Sequence, residues 1–481
     1  MARIAVIGAG MGAMAAAARL AVAGHRVTVY ERAATYGGSV GRYERDGFGF
    51  DTGPGLLHLP AVYRDLFVKT GKRPLEDCVE MVRVDPAVRH LLPDGREVTL
   101  PAVSRGGVAA ALDETFGAGT GERWAALLNR ARDAWDATRR PLLEEPLRAD
   151  WQVLGRDPYP ALRRSGLLRR RPPTLAEVAE RELGGGAAGL LRGLVGTYGL
   201  DPGTAPAAAA VLPYMEQTFG SWYVGGGMRA LATAVYERCL ERKAEFVFGA
   251  EVTAVRERDG RAAGLTLADG TAVEADTVVC GIDPRRLGGL LPGTDLWPGG
   301  ARTPHGPAPS RATLFLALRG PRPEGTVHRT LVHSPGGSAA VTVLRPDDGR
   351  NRPDAGHEAV TVTAVTGAGE GGGPEWAART AEGLLDAAAR AVPELRERLI
   401  WQELRTPEHV AEDTGALGGA VPAPALAGAT ELLYPANTTA LPGLYLAGGW
   451  AHPGGGLAHA GMTGALVSGL IVEGADFRGS Q

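Results

Sequence analysis

The sequence predicts an α/β fold in which a discontinuous Rossmann-like domain carries an inserted helical and mixed β-sheet domain. Three observations carry that reading. Residues 4–38, IAVIGAGMGAMAAAARLAVAGHRVTVYERAATYGG, read as strand, glycine turn, alanine-rich helix and second strand, a βαβ unit. The chain closes on another strand, a glycine-rich turn and an apolar helix, GLYLAGGWAHPGGGLAHAGMTGALVSG. Between these ends a helical stretch and a strand-rich stretch alternate with a third nucleotide-type segment. The expected divisions are 1–102, 215–290 and 426–481 for the cofactor domain, 103–214 for the helical insertion and 291–425 for the β-rich one.

Each element follows from its own pattern. ARIAVIG (2–8) reads as a buried strand, Ala13 to Ala23 as a helix and VTVYE (27–31) as the second strand. From about 103 to 200 the periodicity is helical, as in GERWAALLNRARDAWDATRRPLLEE, with no convincing strand. SWYVGGGMRALATAVYERCLE is a turn followed by a helix. Residues 246–283 then hold a strand and hairpins broken at Asp259-Gly260 and Asp269-Gly270. RATLFLALRG, TVHRTLVHS, AAVTVLR and AVTVTAVTG are four further strands, and an amphipathic helix follows near 374–398. Glycine, proline and alanine make 415–430 a loop, and the final apolar helix starts near 460.

Composition narrows the function classes. A formal charge of −3 gives no case for nucleic acid. Cys78, Cys239 and Cys280 lie far apart without CxxC spacing, which suits a reducing, cytoplasmic compartment and neither disulfides nor structural zinc. No His, Asp or Glu cluster has metal-ligand spacing, so no metal is expected. Glycines interrupt the N-terminal apolar run, which excludes a signal peptide reading, and no window reaches the ~18 apolar residues of a membrane span.

The turn Gly8-Ala9-Gly10-Met11-Gly12-Ala13 is the GxGxxA form of a dinucleotide fingerprint. Gly8 permits the tight turn, Gly10 lets backbone N–H groups approach a pyrophosphate, and Ala13 lets helix and strand pack closely. Glu31 ends the second strand where a carboxylate can accept both ribose hydroxyls. A second match, GGGAAG at 184–189, follows helix-like TLAEVAEREL and is a chance copy in a chain with 70 glycines.

Downstream of the fingerprint come Arg32, Gly37-Gly38 and RDGFGFDTGPG. Together with the closing segment these resemble the FAD-dependent phytoene desaturase family, within the flavin amine oxidase superfamily. The resemblance implies an FAD-binding domain of the glutathione-reductase type. It places Gly8, Gly10, Met11 and Gly12 at the pyrophosphate, Glu31 with Arg32 beside it at the adenosine ribose, and Gly38 and Ser39 near the phosphates. Gly55 joins the cofactor set, Val252 offers its backbone to adenine, and Gly448 and Gly449 face the pyrophosphate and ribityl chain. Leu457, Ala458, His459 and Ala460 start a helix whose free N–H groups point at the flavin pyrimidine, where a reduced flavin carries negative charge.

The implied activity is desaturation of an elongated hydrophobic, polyene or isoprenoid-like substrate by hydride transfer to flavin N5, with oxygen or a quinone as final oxidant. No second strand–glycine–helix unit exists for a nicotinamide. A redox-neutral polyene isomerase, a flavin amine oxidase and a prenyl-binding escort, as in the Rab GDP-dissociation inhibitors, stay open as alternatives. The amine oxidase branch uses a lysine in its second half and an acidic residue where this chain has Gly449, but no lysine follows Lys243.

The chain departs from the family at four positions. Ser39 and Gly225 replace arginines, Ala458 replaces a proline, and His459 replaces a glycine. These leave room for a specialised polyene in place of a carotenoid. His459 is the first candidate for catalysis, through charge or proton transfer, although it can equally cap its helix. His58 is the second, on the substrate side, while His452 serves the turn. DTG occurs at 51–53 and 413–415, but the helical middle contradicts the two β-lobes of an aspartic protease. Six arginines interleave with leucines over 155–173; the segment reads as a solvated loop or as a peripheral contact with an anionic membrane.

Overall fold

The computed structural model describes residues 1–162, 171–297, 308–336 and 339–479. Much of the arginine-rich segment, 163–170, lies outside the described residues. A five-stranded parallel sheet forms the domain expected to hold the cofactor, in the spatial order Glu245–Phe248, Arg26–Glu31, Arg3–Ile7, Thr277–Cys280, Leu444–Leu446. Its strands come from the start, the middle and the end of the chain, so the domain is discontinuous. Val6 pairs with Val29 on one side and Val279 on the other. The central strands Arg3–Ile7 and Thr277–Cys280, covered on both faces, are apolar almost throughout.

The first helix, Met11–Val22, is alanine-rich because it must approach its neighbours closely. A Cβ on Gly464 of the C-terminal helix Leu457–Val472 would lie 2.6 Å from the Ala15 Cβ. One on Gly281, past the fourth strand, would lie 2.7 Å from the Ala13 Cβ, which is the close helix–strand packing expected of Ala13.

A seven-stranded sheet forms the second layer, in the order Leu399–Arg405, Ser310–Arg319, His357–Thr366, Val341–Leu344, Arg329–Val332, Val88–Leu91, Glu97–Leu100. The last two strands come from the segment expected to belong to the cofactor domain, so that segment crosses between sheets near residue 84. The alternating side chains of Ser310–Arg319 divide its faces. Leu314, Leu316 and Leu318 pack with Leu384 and Leu385 of the helix Pro374–Ala391, while Phe315 and Ala317 meet Phe48 and Phe50. Arg311 and Thr313 line the internal cavity described below. The helix expected over 374–398 stops at Ala391 and restarts at Leu395, because Pro393 disfavours helical geometry in the residue before it.

The helices Arg105–Phe116, Thr120–Arg139, Leu175–Glu182, Gly185–Gly196 and Val211–Phe219 build the helical layer. Their shared core includes Trp124, Leu127, Leu191 and Leu212, and it extends to Ala458 and Met462 of the C-terminal helix. The chance glycine copy at 184–189 starts one of these helices and follows no strand. The hairpin Arg42–Arg45 and Phe48–Asp51 turns at Asp46 and Gly47, both with positive φ, a signal present in the sequence as Asp-Gly.

Candidate active site

One cavity of about 420 Å³ runs from the glycine turn of the first helix to the face of the seven-stranded sheet. Its cofactor end is built from helix termini. The first four N–H groups of a helix lack partners within it, and the macrodipole makes that end favourable to anions. Neither the Met11–Val22 nor the Leu457–Val472 helix has a side-chain cap, since Gly10 and Gly456 occupy the cap positions. Gly10, Met11 and Gly12, and Leu457 to Ala460, all line the cavity.

The helix Met228–Glu241 solves the same problem internally. Asp51 accepts hydrogen bonds from Met228 N (2.8 Å) and Arg229 N (3.4 Å), and burial pushes its carboxyl up to about 6. The first DTG therefore supplies a helix cap. The second, at Asp413, pairs with Arg405.

The glycine turn fits a dinucleotide. Gly8 has φ +86°, which favours glycine. Gly10 has ordinary extended geometry, and a Cβ there would meet nothing within 4 Å. Backbone strain therefore does not require that glycine, whereas access of a ligand to the helix terminus does. Glu31 accepts hydrogen bonds from Ala9 N (2.7 Å) and Ala33 N (2.8 Å), tying the second strand to the turn. A carboxylate has about four acceptor sites, so capacity for ribose hydroxyls is left.

Gly38, Ser39, Gly55, Gly448 and Gly449 line the cavity as the resemblance implies. Gly8, Ala13, Glu31, Arg32 and Val252 do not. Gly8 and Ala13 serve turn and packing. Arg32 donates to the carbonyls of Ala411 and Glu412, and Val252 begins an antiparallel strand, opposite Leu267.

Sequence reasoning missed Arg229. From the start of its helix it donates to Tyr36 O and, at 2.5 Å, to Thr35 Oγ1, with its guanidinium 4.1 Å from the centre of the Tyr36 ring. It thereby holds the 35–40 loop against the cofactor end. At Gly225, the space a side chain would take is filled by the Arg350 guanidinium, which bonds Asp348 (2.8 Å) and Glu80 (2.9 Å).

His459 lies in the cavity wall at the third residue of its helix. Burial, with His452 nearby, pushes its pKa down to about 4, so at neutral pH the ring carries no charge. Of the two catalytic roles expected for it, charge and proton transfer, burial opposes the first. His452 is buried, also pushed down to about 4, and its Nε2 donates to Glu145 O at 2.9 Å. His58 also lines the cavity, with Nδ1 3.3 Å from Ser221 Oγ and Nε2 4.0 Å from Glu216 Oε1.

His58 belongs to a polar cluster that no local motif announced. Glu216 accepts from Tyr198 OH (2.6 Å) and from Arg329 Nη1 (2.7 Å). Burial alone would raise the Glu216 pKa, but Arg329, His58 and the Tyr198 hydrogen bond together outweigh it and the carboxyl is held low. Burial lowers His58 and keeps its ring neutral. Glu216, Arg311 and Arg329 come from three separate elements and Tyr198 from the turn after the helix Gly185–Gly196, and only folding brings them together.

Fold and site define a protein of the dinucleotide-binding class, in which two uncapped helix termini border one cavity that reaches the seven-stranded sheet. The chain belongs to the family described as flavin containing amine oxidoreductase, which matches residues 14–472, and its cofactor is FAD. It is 30% identical over 283 residues to a 4,4'-diapolycopene oxygenase from Methylomonas sp, covering 58% of this chain and 56% of that one. It is 31% identical over 286 residues to a zeta-carotene-forming phytoene desaturase from Myxococcus xanthus, covering 58% and 53%. The chain thus spans about half the length of the curated relatives it matches. Among solved structures, an oxidoreductase from Methanosarcina mazei superposes with a TM-score of 0.63 at 16% identity, covering 96% of this chain and 98% of that one. Among the described residues, no helix is long and apolar enough to cross a membrane.

Proposed function

We propose that the protein is an FAD-dependent oxidoreductase that desaturates an elongated, largely apolar substrate. The observation that carries this reading is the continuity of the cavity from the two uncapped helix termini to apolar walls such as Leu56, Met215 and Leu344. The substrate loses a hydride from one carbon and a proton from its neighbour, and a new double bond forms. FAD, when bound, supplies the two-electron acceptor for that hydride. The chain's part is to fix the substrate against the cofactor and exclude water, which is worth far more than any single side chain. His459, neutral at the helix start, can donate or accept a hydrogen bond at the cofactor end of the cavity.

The relatives that act on polyenes support this reading. An amine substrate is disfavoured by the lysines, because Lys69, Lys72 and Lys243 are the only three in the chain and all are exposed, none of them in the cavity wall.

The test is absorption spectroscopy of the purified protein, with the cofactor released and identified by chromatography, followed by anaerobic addition of a polyene panel. We expect FAD at one per chain and bleaching of its visible band by a polyene but not by amines. A colourless protein that takes up no added FAD, or bleaching by amines alone, would overturn the proposal.

A further inference from the structure

We infer that the substrate carries one carboxylate group, which is seated against Arg311 in the wall of the cavity; this rests on the desaturase reading above. Arg311 lies on the strand Ser310–Arg319, and its register partner on the neighbouring strand is Val365. The alternation of that strand turns Arg311 and Thr313 to the cavity while Leu314, Leu316 and Leu318 face the Pro374–Ala391 helix.

The neighbouring cations along this cavity are already engaged. Arg329 bonds Glu216 at 2.7 Å, and Arg405 pairs with Asp413. Among the described residues the Arg311 side chain makes no hydrogen bond or ion pair, and the charged or polar group nearest in effect is the Tyr198 phenol. That phenol is itself committed to Glu216, and burial raises its pKa well above the usual value. Burial lowers the Arg311 pKa, as expected of a guanidinium held away from bulk water.

A desolvated cation without a partner is costly, and a guanidinium presents a planar fork of donors that matches a carboxylate. A hydrocarbon chain would leave that fork unpaired. With His58 neutral and Glu216 balanced by Arg329, the local surplus is a single positive charge. It matches a monoanion better than a diphosphate. Apolar wall on one side and one free guanidinium on the other select a polyene acid.

The test is binding to the FAD-loaded protein, read by quenching of tryptophan fluorescence. The probes are all-trans-retinoic acid, its methyl ester and geranylgeranyl diphosphate. We expect the acid to bind about 10- to 100-fold tighter than the ester, the range of a charge-assisted hydrogen bond. Arg311→Gln should bring acid and ester within about 2-fold while flavin content holds, and Arg311→Lys, which keeps the charge but loses the planar fork, should show a preference between those of the wild type and the Gln variant. Equal binding of acid and ester by the wild type, a preference that survives in Arg311→Gln, or tighter binding of the diphosphate would each overturn the proposal. If the Gln variant fails to retain flavin, the wild-type ratio and the Lys variant decide the matter. The two readings fail separately. Polyene turnover without acid preference removes only this proposal, and acid preference without flavin bleaching by any polyene removes only the desaturase.

Discussion

Gly10→Ala is expected to yield a folded protein that purifies without its flavin, whereas Gly12→Ala is expected to lose stability itself. The two positions stand in the same six-residue turn, and a propensity argument treats them alike. Their surroundings differ. A Cβ at residue 10 meets no protein atom within 4 Å, and the backbone there already has a geometry that alanine adopts. Stability should therefore change by no more than about 0.5 kcal/mol. The added methyl instead occupies the approach to the uncapped helix terminus, where a pyrophosphate must come close to the N–H groups. Overlap of that kind costs about 1–3 kcal/mol, or roughly 10- to 100-fold in FAD affinity.

At residue 12 a Cβ would sit 2.7 Å from Gly448 Cα, 2.8 Å from Gly448 N and 2.9 Å from Ala460 O. All three are backbone atoms of the closing segment, so relief requires a shift of the first helix against the C-terminal one. A penalty of about 3 kcal/mol or more is expected. Melting curves of both variants after flavin removal, with FAD titrations, separate the effects. Wild-type flavin affinity in Gly10→Ala, or an unchanged melting point in Gly12→Ala, would contradict the geometry.

Acidification should weaken the fold through its histidines. His328, His333, His452 and His459 are each pushed by burial from an ordinary 6.5 to about 4, and burial also holds His90 well below 6.5. The folded state thus binds fewer protons than the unfolded one between those values. By linkage, the stability these groups confer is complete above pH 6.5 and is lost as the pH falls toward 4. Each contributes up to about 3 kcal/mol over that window, since a tenfold change in proton affinity is worth about 1.4 kcal/mol. Urea unfolding at pH 7.5, 6.0 and 5.0 should show a steep fall, with uptake of roughly three to four protons per chain near pH 5. A flat profile across that range, or unfolding without proton uptake, would mean that these rings are charged in the folded protein.

The sequence was most legible where function is written in consecutive residues. The glycine turn, the 26–31 strand ending in Glu31 and the closing GGWAHPGGGLAHA segment are runs whose backbone geometry and small side chains do the work locally. Strands such as Arg3–Ile7 and Ser310–Arg319 were readable from their apolar runs for the same reason. The Asp46-Gly47 hairpin could have been found from its turn residues. Strands Val88–Leu91 and Glu97–Leu100 could not be assigned to the substrate sheet, because a strand's own residues do not name its partner.

What the sequence determined by itself was the cofactor end: a βαβ unit with an anion-accepting turn, completed by a second helix start at the far end of the chain. Tertiary structure alone decided the substrate end. RATLFLALRG is apolar on both faces apart from its polar fringe, and only the packing of Leu314, Leu316 and Leu318 beneath the Pro374–Ala391 helix turns Arg311 toward the cavity. Likewise Arg329, whose charge Glu216 balances beside it, lies 113 residues from that carboxylate along the chain. Burial and pairing depend on which distant segments meet, so the charge left unpaired in the chamber could be counted only once the chain had folded.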